Sequence, residues 1–478
     1  MSVIGTIARK EVLVALRERR VLVLGAIVWV LLAVAGVTGY LVYAQQHSAI
    51  VQTQQEKRQE WLEQGDKHPH IAAHYGTYVF KPKTLLSLFD FGLDAYTGTS
   101  VYLEAHYQHE FMFRPAQDHS SLIRFGELSL ALVLQVLVPL LIIFMSFHTI
   151  TQERETGTLR LLISQGVTFQ QITWGKLLAH GFLLLSILLP VVVGLIIMAF
   201  LSDAQAKMTD LGLRSILLIV SYTIYLFFFL MLSIWVSLRS SSGRNALLVL
   251  LSCWIILTVL MPKTVANVSE RIYEIPSMRE FRAAIAEDKA HGLHGKSTKS
   301  ERQEKLKQRY LEEYQVDDVQ QLPFNFEGIS MQAGEDFGNR IYDHHQERLR
   351  QLFYRQNHLA SIASLLNPFL AIRHLSMAMA GTDLHTFIHF ENEVEHYRRE
   401  LVRRMNHDMA QNSTYGKFFE YKAGRDLWDE IEDFTYQTPG VWQVVQYYKL
   451  ELISLLAWVI VLCVLVYYSN RKMKPINE

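Results

Sequence analysis

Apolar residues gather along the 478-residue chain into six stretches, 21–43, 128–149, 178–201, 212–236, 245–262 and 449–469, set between strongly polar segments. Each comes close to the roughly 20 residues that a helix needs to cross the hydrocarbon core of a bilayer. A helix is the expected form, because lipid offers no hydrogen-bond partner to an open backbone amide. Arg214, at the edge of the fourth stretch, is read as the one charged residue inside the six. That reading predicts no ion-relay carboxylate within the spans and argues against a proton-coupled transporter. Gln135, Ser146, Ser186, Ser221, Tyr222, Thr223, Tyr225, Ser233, Ser252 and Thr258 lie inside the stretches and are read as polar glue between helices.

The polar segments order the chain around the spans. Residues 3–20 read as an amphipathic helix, with Ile4, Ile7, Val12, Leu13 and Leu16 alternating with Arg9, Lys10, Arg17 and Arg19. This predicts an interfacial helix over 1–20. The first span, 21–43, is too long and lacks a small-residue cleavage site, so it is not expected to be a cleaved signal. Two long inserts follow, at 44–127 and 263–448. Between them lie spans two to five, within 128–262 and including a loop at 150–177, and the sixth span, 449–469, leads to a tail at 470–478. Arg9, Lys10, Arg17, Arg19, Arg20, Arg154, Arg160, Lys176, Arg239, Arg244, Arg471, Lys472 and Lys474 fall on one side of this layout, against only Lys207 in the short loop 202–211. The positive-inside rule then predicts two cytoplasmic termini and two external inserts.

Inside the inserts the 3.6-residue period predicts helices. Gln52–Trp61 extends the first span, Glu301–Tyr314 pairs Glu with Lys at helical spacing, and Asp336–Leu366 forms one long amphipathic helix that Pro368 ends. Ala371–Ala380 is apolar enough to lie on the membrane surface or on the spans, and Leu384–Asn412 is a further amphipathic helix. His68-Pro69-His70, Gly76, Gly92 and Gly98 mark a loop-rich tract. The fold class is thus an all-α membrane protein: six transmembrane helices, an N-terminal interfacial helix and a mainly helical external domain.

Composition refines this picture little. Half the residues are apolar and net charge is zero, so nothing points to nucleic acid. Both cysteines, Cys253 and Cys463, fall inside spans, which predicts inserts without disulfides. A P-loop would need a glycine where Ala290 precedes Gly295-Lys296-Ser297, and neither His-Glu-x-x-His nor Gly-x-Ser-x-Gly occurs. No catalytic residue is therefore expected, and Asp317 and Asp318 read as solvated charges. Of 19 histidines, 17 fall in the inserts. His385, His389 and Glu393 share one helix face, as metal ligands would, with His396 as a fourth. The preferred reading of that face is solvated or hydrogen-bonded side chains without metal.

The loop after the second span reads TQERETGTLRLLISQ from Thr151 to Gln165 and continues to Gly175-Lys176-Leu177. Glu153 and Glu155 precede a glycine that permits a turn, and Leu159, Leu161, Leu162 and Ile163 open a short amphipathic helix. This spacing predicts a compact helix–turn–helix with an acidic start. Here the sequence resembles the permease subunits of type-2 ABC exporters. Asn367–Asp383, His389–Arg398 and Phe434–Pro439 resemble a subgroup with a large external domain before the last span. The resemblance implies that Glu153, Arg154, Glu155, Gly157, Thr158 and Leu159 couple to a separate cytoplasmic ABC ATPase, which would carry ATP and Mg. It further implies a second permease subunit, forming a homo- or heterodimer, a bacterial inner-membrane location in contact with lipid, a periplasmic partner, and export of an unidentified substrate. An ATP-driven mechanical or sensory assembly and a membrane-anchored metal-binding protein are the alternatives.

Overall fold

A computed structural model describes residues 2–75, 77–98, 100–105, 128–200, 205–293 and 297–472, with the side chains of 75, 198–200 and 205–208 set aside. Gly76, residues 106–127, Gly295, Lys296, the side chain of Lys207 and the tail from 473 lie outside the described residues. Among those described, six helices are long and apolar enough to cross a membrane: Arg19–Leu62, Leu130–Glu155, Phe169–Ile197, Thr209–Arg239, Gly243–Ile272 and Lys449–Lys472. The chain is a mainly helical membrane protein. Alternation of the six directions puts the N-terminal helix, residues 147–168 and residues 240–242 at one end of the bundle, the loop end. The two inserts lie at the other, the insert end.

Helix α1 (Val3–Arg17) starts on the Ser2 cap and stops where Glu18 turns extended, and α2 (Arg19–Leu62) follows directly. At 44 residues, α2 is ~66 Å long by its rise of 1.5 Å per residue. It therefore crosses the apolar layer and carries on into the first insert, as its polar second half predicts. There Trp61 packs edge-on against Trp428, centroids 5.7 Å apart, and donates its indole N–H to the Trp428 carbonyl at 3.1 Å.

The second span contains a π turn, Val133–Leu137, ahead of α3 (Val138–Ser146), and the loop helices α4 (Thr151–Glu155) and α5 (Thr158–Ser164) follow. Next come α6 (Phe169–Phe200), α7 (Gln205–Arg239), and α8 (Gly243–Ile255), which runs through a π turn at Ile256–Leu260 into α9 (Met261–Ile272). Each π turn tilts a carbonyl out of the ladder, and each carbonyl finds a tertiary donor. Trp254 donates to Val136 at 3.1 Å, and the Asn367 amide donates to Leu257 at 2.8 Å. The polar glue around Gln135 is also tertiary: its amide donates to Tyr222 Oη at 2.8 Å, and Tyr225 donates to its carbonyl at 2.7 Å. Helix α7 lies at the centre of the core, with Tyr225, Phe229, Leu230 and Ile234 fully buried.

In the second insert, α10 (Met278–His291) and α11 (Lys299–Tyr314) both begin with capping boxes. The long helix α12 (Phe326–Ser364) starts ten residues before the apolar pattern suggests, because Asn325 caps it. Pro368 opens α13 (Pro368–Ala380) at a position where its missing N–H costs nothing. Helix α13 is not a surface helix: eleven of its residues are buried, and it packs on α7 and on α16 (Lys449–Lys472), among the spans. Helix α14 (Leu384–Asn412) runs back along α12, so closely at one point that a Cβ on Gly328 would come within 2.7 Å of the Ala410 backbone. Arg399 joins the pair by donating to Asp343 at 2.5 and 2.9 Å.

One departure from an all-α chain is a small antiparallel ribbon, β1 (Thr77–Phe80) with β2 (Ser100–Leu103), in register Thr77–Leu103 to Phe80–Ser100. Val79, Val101 and Leu103 press it onto Phe390 and Val394 of α14. Asp94, in the loop between the strands, takes Lys81 at 2.5 Å and Lys83 at 3.3 Å. Despite its burial, these two ammonium groups hold its carboxyl below the usual range.

A second departure concerns charge. The stretch 449–469 carries Lys449 and Glu451, so the reading of the spans as charge-free beyond Arg214 is corrected. The eighteen uncharged residues from Leu452 to Ser469 outweigh one carboxylate in any window average.

Candidate functional site: the loop end and the charged clasps of the bundle

The loop TQERETGTL folds as predicted into helix, turn and helix. Gly157 adopts φ +76°, a left-handed conformation in which a side chain would be strained, and thereby lets α4 turn into α5. Ser237 caps α4 from a neighbouring span, its hydroxyl accepting from the Ile150 and Thr151 amides at 3.0 and 3.3 Å. Leu159 is 1 % exposed and packs with Ile150, Ile172 and Leu238 over half-buried Ile7 of α1.

Glu153 is turned inward. Its Oε1 lies 3.1 Å from Lys10 Nζ and 3.2 Å from Lys176 Nζ, while the Thr158 hydroxyl donates to its Oε2. Lys176, itself buried, also reaches Glu11 Oε1 at 3.0 Å, and Lys10 approaches Glu11 at 3.3 Å. Four alternating charges from α1, α4 and α6 thus close into one network. Against the penalty of partial burial, Glu11 and then Glu153 raise the Lys10 ammonium above its ordinary value. The close approach of α1 to α6 depends on Gly175, where a Cβ would meet Ile7 at 2.8 Å and the Ile4 carbonyl at 3.1 Å.

The other two charges of the motif also act within the chain. Arg154 donates to the Leu238 carbonyl at 3.0 Å and to that of Ser240, satisfying acceptors at the C-terminus of α7. Glu155 accepts from the Gly243 amide at 2.9 Å, at the start of α8, where the helix dipole favours an anion. Of the six motif residues, Glu153, Arg154, Glu155 and Leu159 therefore hold the loop against α1, α6, α7 and α8. Gly157 and Thr158 lie at the outer turn. The exposed surface includes Glu155, Thr156, Gly157, Thr158, Arg160 and Leu161, and Leu161 is 59 % exposed. Lys10 and Glu11 belong to this site although the motif does not single them out, and Lys176 joins them from the Gly175-Lys176-Leu177 end of the loop. The signal for Glu11 is an acidic residue on an otherwise basic helix.

Two charged clasps join the spans to the second insert. Arg214 is buried; it donates to Asp210 at 2.6 Å, to the Ala378 carbonyl at 3.2 Å and to that of Pro439. Asp210 in turn accepts from the Val441 amide at 2.8 Å, at the start of α15 (Val441–Tyr447). Glu451 is 0 % exposed. Its Oε1 accepts from the Ser361 hydroxyl at 2.6 Å and lies 3.0 Å from His374 Nδ1, and its Oε2 has no hydrogen-bond partner among the described residues.

The candidate metal face is packed in part against aromatic rings. The His385 ring stacks on Tyr447 at 4.2 Å and on Tyr354 at 5.1 Å. Burial lowers its pKa below the usual value, outweighing the opposing charges of Asp383 and Glu451. His389 Nδ1 lies 3.2 Å from Tyr436 Oη, while Glu393 and His396 are exposed. Among the described residues, no group of three His, Cys, Asp or Glu side chains is placed to hold a metal ion.

One family matches the chain, a domain of unknown function (DUF3526), over residues 278–437. The match runs from the first residue of α10 to the approach to α15, about a third of the chain, and coincides with the second insert. No curated protein matches.

Proposed function

We propose that the chain is a transmembrane permease subunit of an ATP-binding cassette transporter, exporting its substrate as one half of a dimer. It is not itself an ATPase. ATP and Mg would be held by a separate subunit docked at the loop end, which would face the cytoplasm. The observation that carries this reading is the loop itself: a helix–turn–helix whose outer turn exposes Leu161 and Arg160 while its inner face is bonded to α1, α6, α7 and α8. A push on the outer turn would reach every element that the inner face holds. The α1 helix, apolar on one side and packed along α6, would lie in the interface on the same side.

Leu161→Asp is expected to abolish co-purification of a small ATPase from native membranes, and to cut ATP hydrolysis by the complex about tenfold, equivalent to ~1.4 kcal/mol. A chain that purifies alone after cross-linking, or a variant that keeps full hydrolysis, overturns the reading. Orientation is checked by cysteines placed one at a time. An impermeant thiol reagent added to intact cells should label Ser297→Cys and spare Ser242→Cys; the reverse pattern inverts the topology.

The Arg214 and Glu451 clasps favour a second use of the same motion, a mechanical or sensory assembly acting on a periplasmic partner. Reconstituted vesicles separate the two: ATP-dependent movement of a solute supports export, and ATP-dependent partner binding without solute movement supports the mechanical assembly. A metal-binding role has less support, given the placement of His385, His389 and Glu393.

A further inference from the structure

At the loop end, where the first apolar stretch begins, a groove of about 580 Å3 opens between the first, second and fifth spans. Its size falls inside the roughly 300–1,000 Å3 range of small-molecule sites. Its walls share one plan. On α2, Arg19 and Arg20 stand at the rim, and Val23 and Leu24 line the groove one turn further in. On the second span, His148 is at the rim and Phe144 one turn further in. On α8, whose first residue Gly243 lies against Phe147 and His148, Leu247 lines the groove one turn from the start. At 1.5 Å per residue, the surface passes from charged to apolar within about 6 Å along the bundle axis. A bilayer lipid makes the same change from head to chain.

Charge at the rim is positive in excess. Among the described residues Glu18 is the one carboxylate on the wall, against the guanidinium groups of Arg19 and Arg20. Arg20 takes Glu18 at 3.2 Å, and among the described residues no carboxylate pairs with Arg19. His148 faces the same rim, and its Nδ1 is buried without a hydrogen-bond partner among the described residues. Buried polar atoms ordinarily have one, and a head group seated against the ring supplies it. Further in, the apolar surface goes on toward the middle of the bundle: Val23 and Ile27 of α2 and Leu248 of α8 are all exposed.

We propose that this groove holds an anionic glycerophospholipid of the bilayer, its phosphate at Arg19 and the His148 ring and one acyl chain along Val23, Leu24, Phe144 and Leu247. A guanidinium offers a phosphate two parallel N–H donors, and basic pockets between membrane-spanning helices at the bilayer surface favour anionic head groups. A second copy of this chain is the competing occupant. In a two-fold contact it would set the same patch against itself, Arg19 facing Arg19, and would leave the excess positive charge uncompensated. The inference rests on the chain being a membrane protein and stands whether or not the spans export anything.

The test uses the full chain in phosphatidylcholine nanodiscs doped with phosphatidylglycerol that carries a photoactivatable group in its acyl chain, and locates the adducts by peptide mass spectrometry. Adducts are expected to concentrate on the peptides that hold Val23, Phe144 and Leu247. Val23→Trp, which fills the groove from its exposed side, should cut them about tenfold. Arg19→Glu should cut them severalfold, while Arg19→Lys keeps most of them. Unlabelled phosphatidylglycerol should compete, whereas soluble glycerol phosphate, which offers the head group without a chain, should not. Circular dichroism and gel filtration identify variants that keep the fold. If Val23→Trp proves unfolded, competition by the unlabelled lipid against the wild type replaces it. Adducts spread evenly over the six apolar helices, labelling unchanged in both folded variants, or photoactivatable phosphatidylcholine labelling as strongly would each overturn the proposal. So would displacement by glycerol phosphate, or efficient disulfide cross-linking of Val23→Cys between two copies, which would seat a second chain in the groove.

Discussion

Replacing Glu153 with alanine is expected to loosen the loop end by about 3–5 kcal/mol, the usual cost of leaving a buried charge without its partner. Lys176, whose side chain is 3 % exposed, and Lys10 would then share only Glu11, and Thr158 would lose its acceptor. Glu153→Gln keeps an acceptor of the same shape and should fall between alanine and wild type. A further variant separates charge from packing. Glu153→Met with Lys176→Met leaves Lys10 paired with Glu11 and removes one charge of each sign, so much of the loss should return. Two readouts follow from the geometry. The melting temperature in detergent should fall for the alanine variant and partly recover for the double variant. Trypsin should cut faster at Arg17, Arg19 and Arg20, because α1 is held to the bundle through this network and through Gly175. An alanine variant that melts with the wild type and resists trypsin equally would show that the network contributes nothing to holding α1.

Most of the architecture was legible because it rests on periodicity. The six apolar helices, the 384–412 helix and the break at Pro368 all follow from spacing and from two local rules, capping and proline geometry. Gly157 was legible for the same reason, since a turn between two helical patterns needs a residue at ease with φ +76°. Spacing does not carry the identity of a partner. The motif showed Glu153 to be acidic and near a turn; it could not show that Lys10 and Lys176, 143 and 23 residues away, converge on it. Nor could it decide whether α13 lay on the membrane surface or among the spans. Helix α13 is apolar on nearly every side, and only the polar side chains that meet it, Tyr222, Arg214 and Glu451, reveal what surrounds it. The metal face shows the converse. Spacing aligned His385, His389 and Glu393 correctly on one helix, but the aromatic rings of Tyr354, Tyr447 and Tyr436 occupy the space around the two histidines.

Glu451 is the residue whose replacement should be felt furthest from its own position. It sits in the first turn of α16, fully buried, and it accepts from Ser361 of α12 and faces His374 of α13. Glu451→Ala leaves the Ser361 hydroxyl without its acceptor and His374 without its partner, and opens a void between three helices. Each orphaned buried group costs about 1–3 kcal/mol, so a combined loss of about 3–5 kcal/mol is expected. Glu451→Gln retains an acceptor at Oε1 for Ser361 but places an amide N–H2 where Oε2 has no hydrogen-bond partner among the described residues. It should therefore cost less than alanine, by about the one hydrogen bond that it keeps. The comparison is read by thermal unfolding together with the ATP-dependent activity of the complex under the proposed function, because the two consequences differ. If Glu451 only fastens the second insert to the spans, the glutamine variant should be both stable and active. If its charge is used, as is common for ionisable residues in apolar helices, the glutamine variant should stay folded and lose activity. An alanine variant with wild-type melting would refute the clasp itself. In the folded glutamine variant, activity then decides between a fastener and a proton site, a distinction that no count of charged residues along the apolar stretches could have drawn.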